Sequence, residues 1–226
     1  LREASFQLFK GEILGFYALI GSGKTEIARA LYGMDPIEGS ILVDGREARL
    51  DGARAAIRAG IALVPEERRS EGLFSKLSIR ENIPLMNLAS ISRLGIFSGR
   101  REKALARSFI EKVRIVARDE NQAVAKLSGG NQQKVVLSKC MNAGSRVLLM
   151  DEPTRGIDVG AKEEIHNLIR AMARQGTSVI VFSSELPEVL NLCDRIMLLY
   201  EGRIRDVVAN GPGVDSERIM HIVTRG

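Results

Sequence analysis

The feature that most constrains the fold is a glycine-rich loop between a strand pattern and a helix pattern. The apolar run Ile13–Ile20 predicts a buried strand, and Glu26–Leu31 predicts a helix. The loop between them, called the phosphate loop below, consists of Gly21, Ser22, Gly23, Lys24 and Thr25. Its glycines allow backbone N–H groups to converge on an anion, and the helix N-terminus adds about half a positive charge. The pattern predicts a phosphate-binding site.

Two side chains of the phosphate loop supply specific chemistry. Lys24 can reach the β- and γ-phosphates of ATP, and the Thr25 hydroxyl is a hard oxygen ligand for Mg²⁺. We also count Glu26, which opens the helix, among the nucleotide-binding residues. The general pattern has Gly at position 18, whereas this chain has Ala18. The extra methyl group is either tolerated or reshapes the loop slightly, and the sequence leaves both outcomes open.

A second apolar strand ends in two carboxylates. Val147–Met150 is followed by Asp151 and Glu152. In open α/β sheets ligands bind at the carboxyl ends of the strands, so both acids are expected to face the phosphates. Asp151 is suited to hold Mg²⁺, directly or through water, and Glu152 to orient or deprotonate an attacking water. The simpler alternative is a strand that ends in a solvated acidic turn.

Short apolar runs alternate with helical patterns along the whole chain, which is typical of a parallel α/β sheet. Further strands are predicted at Ile41–Val43, Ile61–Val64, Ser178–Phe182 and Ile196–Tyr200, and a first one at Ala4–Leu8. Asp44-Gly45 and Glu201-Gly202 predict turns in a small strand-rich edge region. From Ser78, where Glu81 completes a capping box, to about Cys140 the pattern is helical, including Arg100–Val113. A helical insertion is therefore expected within one sheet.

Composition excludes several classes of protein. The chain has 226 residues, 45% of them hydrophobic, which fits one globular domain, and no apolar run approaches a membrane span. Its net charge of +5 permits contact with nucleic acid, but there is no Trp and only three Tyr, so a base-stacking surface is not expected. The basic pairs Arg68-Arg69 and Arg100-Arg101 are interpreted as solvated. We therefore expect no nucleic-acid partner.

The remaining chemically active side chains are expected to be structural. Cys140 and Cys193 have no metal or redox spacing and are interpreted as buried small hydrophobes in a reducing compartment. His166 and His221 are not expected to be catalytic. The first residue is Leu rather than Met, and the strand-like run Ala4–Leu8 follows almost at once, so we expect that residues precede the chain in the natural protein.

A third motif carries a family resemblance. Leu127–Lys134, called the signature segment below, has the sequence Leu-Ser-Gly-Gly-Asn-Gln-Gln-Lys. Alone it would be an ordinary helix start, but between Gly21–Thr25 and Asp151–Lys162 it resembles the ABC ATPases. The resemblance implies an α/β fold: a P-loop NTPase (RecA-like) parallel core with a small antiparallel β edge region and an inserted helical subdomain. It implies one domain, 1–226, with 1–72 and 144–226 as the core and 73–143 as the helical part.

The resemblance also assigns residues and partners. In ABC proteins the signature binds the γ-phosphate of ATP held by an opposite domain, so a second ATP-binding domain is implied, either a fused half or a second copy. The residues implied in binding are Ser128, Gly129, Gly130, Gln132 and, further on, Asp158. A Ser-Gly-Gly helix start fits this role because its backbone N–H groups are free to bind an anion.

Three segments narrow the resemblance. Val64–Phe74 (the linker segment below), Arg155–Lys162 and Ser183–Leu190 are similar to the second ATP-binding half of ribose-, galactose- and xylose-type importer subunits. This implies a membrane-spanning permease that docks near Glu66–Phe74 and the helical region, and indirectly a solute-binding protein. It also implies a position at the cytoplasmic face of the bacterial inner membrane and a first ATP-binding half upstream. The transported solute is not encoded in this chain.

Two positions depart from the general ABC pattern. Glu66 stands at the position of the linker Gln, and Ser184 at that of the switch His. A Ser lacks the imidazole charge, and loss of one well-placed donor costs on the order of 10²–10³ in rate. We expect this half to bind MgATP, to hydrolyse it slowly, and to lend its signature segment to the other pocket. The alternatives are a soluble ABC ATPase of the DNA-repair or translation type and a regulatory nucleotide-binding half.

Overall fold

The computed structural model describes residues 4–19, 21–93 and 95–225, which form two compact units. The first unit comprises the described residues up to Leu63, Arg146–Pro153, and the described residues from Ile169 onward. The second comprises the described residues of Val64–Ser145 and Thr154–Leu168. The division at residues 72/73 and 143/144 expected from the sequence stays a prediction.

Strands and helices alternate along the chain. The strands are β1 (Ile13–Tyr17), β2 (Leu42–Val43), β3 (Arg46–Glu47), β4 (Ile61–Val64), β5 (Ser92–Arg93), β6 (Ile96–Phe97), β7 (Val147–Asp151), β8 (Ser178–Ser183), β9 (Arg195–Tyr200) and β10 (Arg203–Ala209). The α-helices are α1 (Lys24–Leu31), α2 (Ala53–Arg58), α3 (Ile79–Asn82), α4 (Gly99–Lys112), α5 (Gly129–Asn142), α6 (Val159–Arg174), α7 (Leu186–Leu192) and α8 (Ser216–Arg225).

A six-stranded sheet with the order β10-β9-β1-β8-β7-β4 organises the first unit. β1 lies parallel to both β8 and β9, β7 lies parallel to β8, and β10 closes the edge antiparallel to β9. The parallel core and the turn at Glu201-Gly202, which joins β9 to β10, confirm the predicted fold class. The neighbouring carboxyl ends of β1, β8 and β7 place their following loops side by side.

Burial explains why these segments become strands. Every residue of β1 and β8 is buried, as expected for strands covered on both faces, whereas β10 alternates between exposed and half-buried positions. Phe16 and Phe182 pack at the centre with their ring centroids 5.0 Å apart, and Phe6 meets Phe16 edge-on at 5.1 Å. The Ala18 methyl is also fully buried in this core, so the departure from Gly is accommodated by packing.

The predicted first strand, Ala4–Leu8, is wrong. Its side chains alternate in exposure, but within the described part of the chain the segment joins no ladder. One backbone group of the segment is bound by a side chain instead, because Arg195 Nη2 donates to the Gln7 carbonyl (2.8 Å). The Arg195 guanidinium also lies 5.1 Å from the ring centroid of Phe9, the residue that follows the segment. The prediction failed because alternation gives the direction of the side chains and not the presence of a neighbouring strand.

The second unit is mainly helical. Ser78 and Glu81 form the predicted capping box at the start of α3, and α4 covers the predicted helix almost residue for residue. The expected absence of strands between residues 78 and 140 is wrong, because β5 and β6 form a short antiparallel ladder there. Two residues per strand are too few to show a period in the sequence.

The remaining structural expectations concern membrane helices and single side chains. Across residues 4–19, 21–93 and 95–225, no helix has both the length and the apolar character needed to cross a membrane. Cys140 and Cys193 are buried free thiols, as predicted. His166 is buried in α6 and His221 is exposed on α8.

Candidate functional site

The phosphate loop connects β1 to α1 with two residues in the left-handed region. Gly21 has φ 81° and Gly23 has φ 90°, conformations that favour glycine. The first bond within α1 runs from Ile27 N–H to the Gly23 carbonyl (3.1 Å). The N–H groups of Lys24, Thr25 and Glu26 therefore have no acceptor within the helix and are available to an anion.

Lys24 is buried beneath this loop. It is only 6% exposed, and its Nζ donates to the Ala18 carbonyl (2.8 Å) and lies 3.1 Å from Glu152 Oε1. Glu152 follows β7 with φ 45°, a left-handed conformation that is strained for a residue other than glycine. Its N–H donates to the Phe182 carbonyl of β8 (2.8 Å), which fixes this turn. The structure thus brings the predicted lysine and the predicted glutamate together.

Asp151 and Thr25 form an oxygen-rich pair next to Lys24 and Glu152. Asp151 is 2% exposed, burial raises the pKa of its carboxyl group above 3.8, and a hydrogen bond with the Thr25 side chain opposes that rise. Asp151 Oδ1 and Ser22 Oγ are buried and have no hydrogen-bond partner within the described residues. Because unpartnered buried polar atoms are costly, these groups fit a bound cation and a bound anion.

The donor set fits Mg²⁺. A hydroxyl and a carboxylate oxygen are the hard ligands that Mg²⁺ prefers, and this ion usually takes only one or two protein ligands together with water and phosphate oxygens. Among the described residues, no group of three His, Cys, Asp or Glu side chains forms an alternative metal site. Thr25 and Asp151 are therefore the candidates to hold the ion.

Ser184 contacts the Glu152 carboxylate through its backbone. Its N–H donates to Glu152 Oε1 (2.8 Å). The preceding Ser183 Oγ donates to Glu188 Oε2 (2.5 Å), which anchors the end of β8 to α7. Sequence reasoning considered only the side chain at position 184 and missed this contact, because a backbone donor leaves no signal in residue type.

The signature segment opens α5 in the second unit. The Ser128 hydroxyl caps the helix by accepting from the backbone N–H (3.4 Å) and the side-chain amide (2.9 Å) of Asn131. A Cβ on Gly129 would lie 2.8 Å from Arg68 Nη2, and one on Gly130 would lie 2.6 Å from the Cβ of Ala161. Close packing within its own unit therefore requires a glycine at position 130, whereas the closest contact at Gly129 is with the end of a flexible side chain.

Two other predicted binding residues have structural partners. Gln132 is 2% exposed; its Nε2 donates to the Val124 carbonyl (3.1 Å), and its Oε1 accepts from Arg69 Nε (3.3 Å). Asp158 is exposed and accepts from the Ala161 N–H (2.9 Å) at the start of α6. Asp158 thus acts as a helix cap in this structure.

The linker segment contains contacts that the sequence did not reveal. Glu66 forms an ion pair with Arg155. Arg68 donates through Nη1 to the Arg155 carbonyl (2.7 Å) and through Nη2 to the Gly156 carbonyl (3.1 Å). Burial, with a further contribution from the charge of Arg69, lowers the pKa of Arg68. The expectation that the Arg68-Arg69 pair is simply solvated is therefore wrong for Arg68.

The comparisons with known proteins agree with this geometry. A family model described as ABC transporter matches residues 1–155, so the chain belongs to this family. The ribose import ATP-binding protein RbsA of Hahella chejuensis is 46% identical over 224 residues, 98% of this chain and 44% of the relative. RbsA of Geobacillus kaustophilus is 43% identical, with 99% of this chain and 45% of the relative covered. The chain thus spans less than half the length of these curated relatives.

Solved structures support the fold. A dimeric ATP-binding cassette bound to ADP and phosphate superposes with a TM-score of 0.77 at 23% identity, over 91% of this chain and 88% of that one. A nucleotide-free ATP-binding cassette from an ABC transporter superposes with a TM-score of 0.77 at 17% identity, over 97% of this chain and 87% of that one. At these identities the likeness establishes the ATP-binding-cassette fold.

Proposed function

We propose that this chain is an ATP-binding and ATP-hydrolysing part of an ABC importer for a sugar. The observation that carries the proposal is the convergence of Lys24, Thr25, Asp151 and Glu152 at the carboxyl ends of β1 and β7. The names of the relatives, which are ribose import ATP-binding proteins, support sugar as the solute class.

In this proposal each residue has one task. The free N–H groups at the start of α1 and the Lys24 ammonium bind the phosphates, so Lys24 exchanges its Ala18 contact for phosphate oxygens. Thr25 and Asp151 hold Mg²⁺, which when bound neutralises developing phosphate charge. The Glu152 carboxylate accepts a proton from the attacking water, and the Ser184 N–H keeps that carboxylate oriented.

The proposed partners follow from the signature segment and the relatives. Ser128, Gly129 and Gly130 would bind the γ-phosphate held by a second ATP-binding domain, which is fused to this one or is a second copy. A membrane permease and, indirectly, a solute-binding protein would complete the importer at the cytoplasmic face of the inner membrane. Because Ser184 has no imidazole, we propose that the local pocket hydrolyses ATP slowly.

Titration of labelled ATP against Lys24→Ala tests the binding pocket. Loss of a charge-assisted contact is expected to weaken affinity by about tenfold or more, because such contacts contribute roughly 1.5–3 kcal/mol. Lys10→Ala is the matched control, since Lys10 is exposed in the same unit, and it should bind ATP like the parent. Equal affinities for the parent and Lys24→Ala would contradict the assignment of the phosphate loop.

Turnover of the full-length protein tests the slow pocket. Ser184→His supplies the missing imidazole and should raise ATP hydrolysis, whereas an unchanged rate would refute the expected weakness of this pocket. A protein that binds ATP but shows no single-turnover hydrolysis, with or without Ser184→His, would instead support a regulatory half. Stimulation by nucleic acid in place of copurification with a permease would favour a soluble ABC ATPase.

A further inference from the structure

The linker segment touches two separate parts of the second unit. Arg68 donates to two consecutive carbonyls, those of Arg155 and Gly156, in the segment that leads into α6. Its neighbour Arg69 donates to Gln132 on the first turns of α5. The linker segment therefore bridges the signature segment and the segment before α6.

Arg68 is the stronger of the two links to the segment before α6. The Glu66–Arg155 ion pair is open to solvent, with the Arg155 side chain 60% exposed, and exposed pairs contribute little. The planar guanidinium of Arg68 instead bonds two acceptors at once, a geometry for which it is already shaped. A lysine has one compact charge and cannot reproduce this fork.

The same guanidinium also borders the signature segment. It lies so close to Gly129 that a Cβ there would be 2.8 Å from Arg68 Nη2. The two carbonyls that it binds belong to the residues two and three positions before Asp158, the cap of α6. One side chain thus lies between Gly129 and the segment that leads to Asp158.

We propose that Arg68 is a positioning residue that holds the Arg155–Asp158 segment in place beside Gly129. This inference rests on the proposed function, in which the signature segment completes the ATP pocket of a second domain. Arg68 touches neither substrate nor reacting atoms in this role. It acts by presenting two binding elements to the opposite domain at one fixed distance.

The test compares Arg68→Lys and Arg68→Gln in the full-length protein, with Arg100→Gln as a control for loss of an exposed positive charge. Amide hydrogen exchange over residues 154–162 should become roughly tenfold faster or more in both Arg68 variants, because at least one charge-assisted bond is lost in each. Exchange over β8 (Ser178–Ser183) should stay unchanged. This readout requires no ATPase activity.

Turnover then tests the functional consequence. Both Arg68 variants should lose about ten- to a hundredfold in kcat, as expected for a misplaced binding element, with KM for ATP within about twofold of the parent. Arg100→Gln should match the parent in every assay. Parent-like exchange in both variants, or full kcat in Arg68→Lys, would overturn the inference. So would accelerated exchange in β8, which would indicate general destabilisation.

The two proposals can fail separately. If the parent protein binds no ATP through Lys24, the proposed function fails, whatever the exchange data show for residues 154–162. If the parent hydrolyses ATP and both Arg68 variants do so equally well, only the positioning role fails.

Discussion

Gly130→Ala would show how tightly the start of α5 packs against the start of α6. The added Cβ would lie 2.6 Å from the Cβ of Ala161 and 3.7 Å from Cγ2 of Ile157. The Ala161 Cβ is bonded directly to the backbone, so no side-chain rotation can relieve the contact. One of the two helix starts has to move, and the signature segment lies on the first of them.

The expected loss can be worked out from two opposing terms. Overpacking costs about 1–3 kcal/mol, and a contact this short lies toward the upper end. Alanine in place of glycine in a helix returns up to about 1 kcal/mol. We therefore expect a net loss of about 1–2 kcal/mol, which lowers the thermal midpoint by roughly 2–8 °C in a chain of this size.

Making the same Gly130→Ala substitution in an Ala161→Gly variant tests whether the clash causes the loss of stability. Ala161→Gly removes the methyl group that causes the clash, so Gly130→Ala added to it should be neutral or should stabilise by up to about 1 kcal/mol. Gly160→Ala is the control for the propensity gain, because its added Cβ meets only Asp158 Oδ1, at 3.6 Å. Thermal unfolding of the four variants and the parent measures both the cost of overpacking and the gain in helix propensity. The same loss from Gly130→Ala in both backgrounds would refute the packing explanation.

Two further predictions concern charged groups. The pKa of Glu120 is lowered from 4.5 to about 2, first by a hydrogen bond from its own backbone and next by one from the Arg107 side chain. The ionised carboxylate therefore stabilises the fold above pH 4.5, and this stability is lost as the pH falls through about 2. Glu120→Gln should therefore lower the thermal midpoint most near pH 7, with a gap that narrows below pH 4.5; a gap independent of pH would contradict this. Asp151→Asn should remove most of the gain in ATP affinity that Mg²⁺ gives the parent protein in calorimetric titration, and an undiminished gain would exclude Asp151 as a ligand.

Burial explains which elements could be predicted from the sequence. β1 and β8 are covered on both faces, so their sequences are continuous apolar runs. The bounds of β8 were predicted to within one residue, whereas β1 begins at Ile13 as predicted but ends at Tyr17, before the predicted Ile20. The capping box at Ser78 was predictable because both of its partners lie within four consecutive residues. Ala4–Leu8 was not, since its apolar alternation carries no information about whether a neighbouring strand is available.

Some residues of the candidate site could be predicted from the sequence and others could not. Asp151 and Glu152 were predictable from one strand end, because the sheet rule places them opposite the phosphate loop. The role of Arg68 was not predictable, since it depends on carbonyls 87 and 88 positions away and any residue type supplies a carbonyl. The hydrogen bond between Ser184 and Glu152 was missed for the same reason.

The backbone contact at Ser184 limits what the replacement of the switch His by Ser can affect. The Ser184 N–H holds Glu152 Oε1 at 2.8 Å, and this donor is present whatever the side chain is. A slow pocket would then arise from the missing imidazole charge and not from a misplaced glutamate. Ser184→His should therefore raise kcat while leaving the position of Glu152 and the affinity for ATP unchanged. A change in affinity together with kcat would mean that the side chain at 184 also shapes the ground-state pocket.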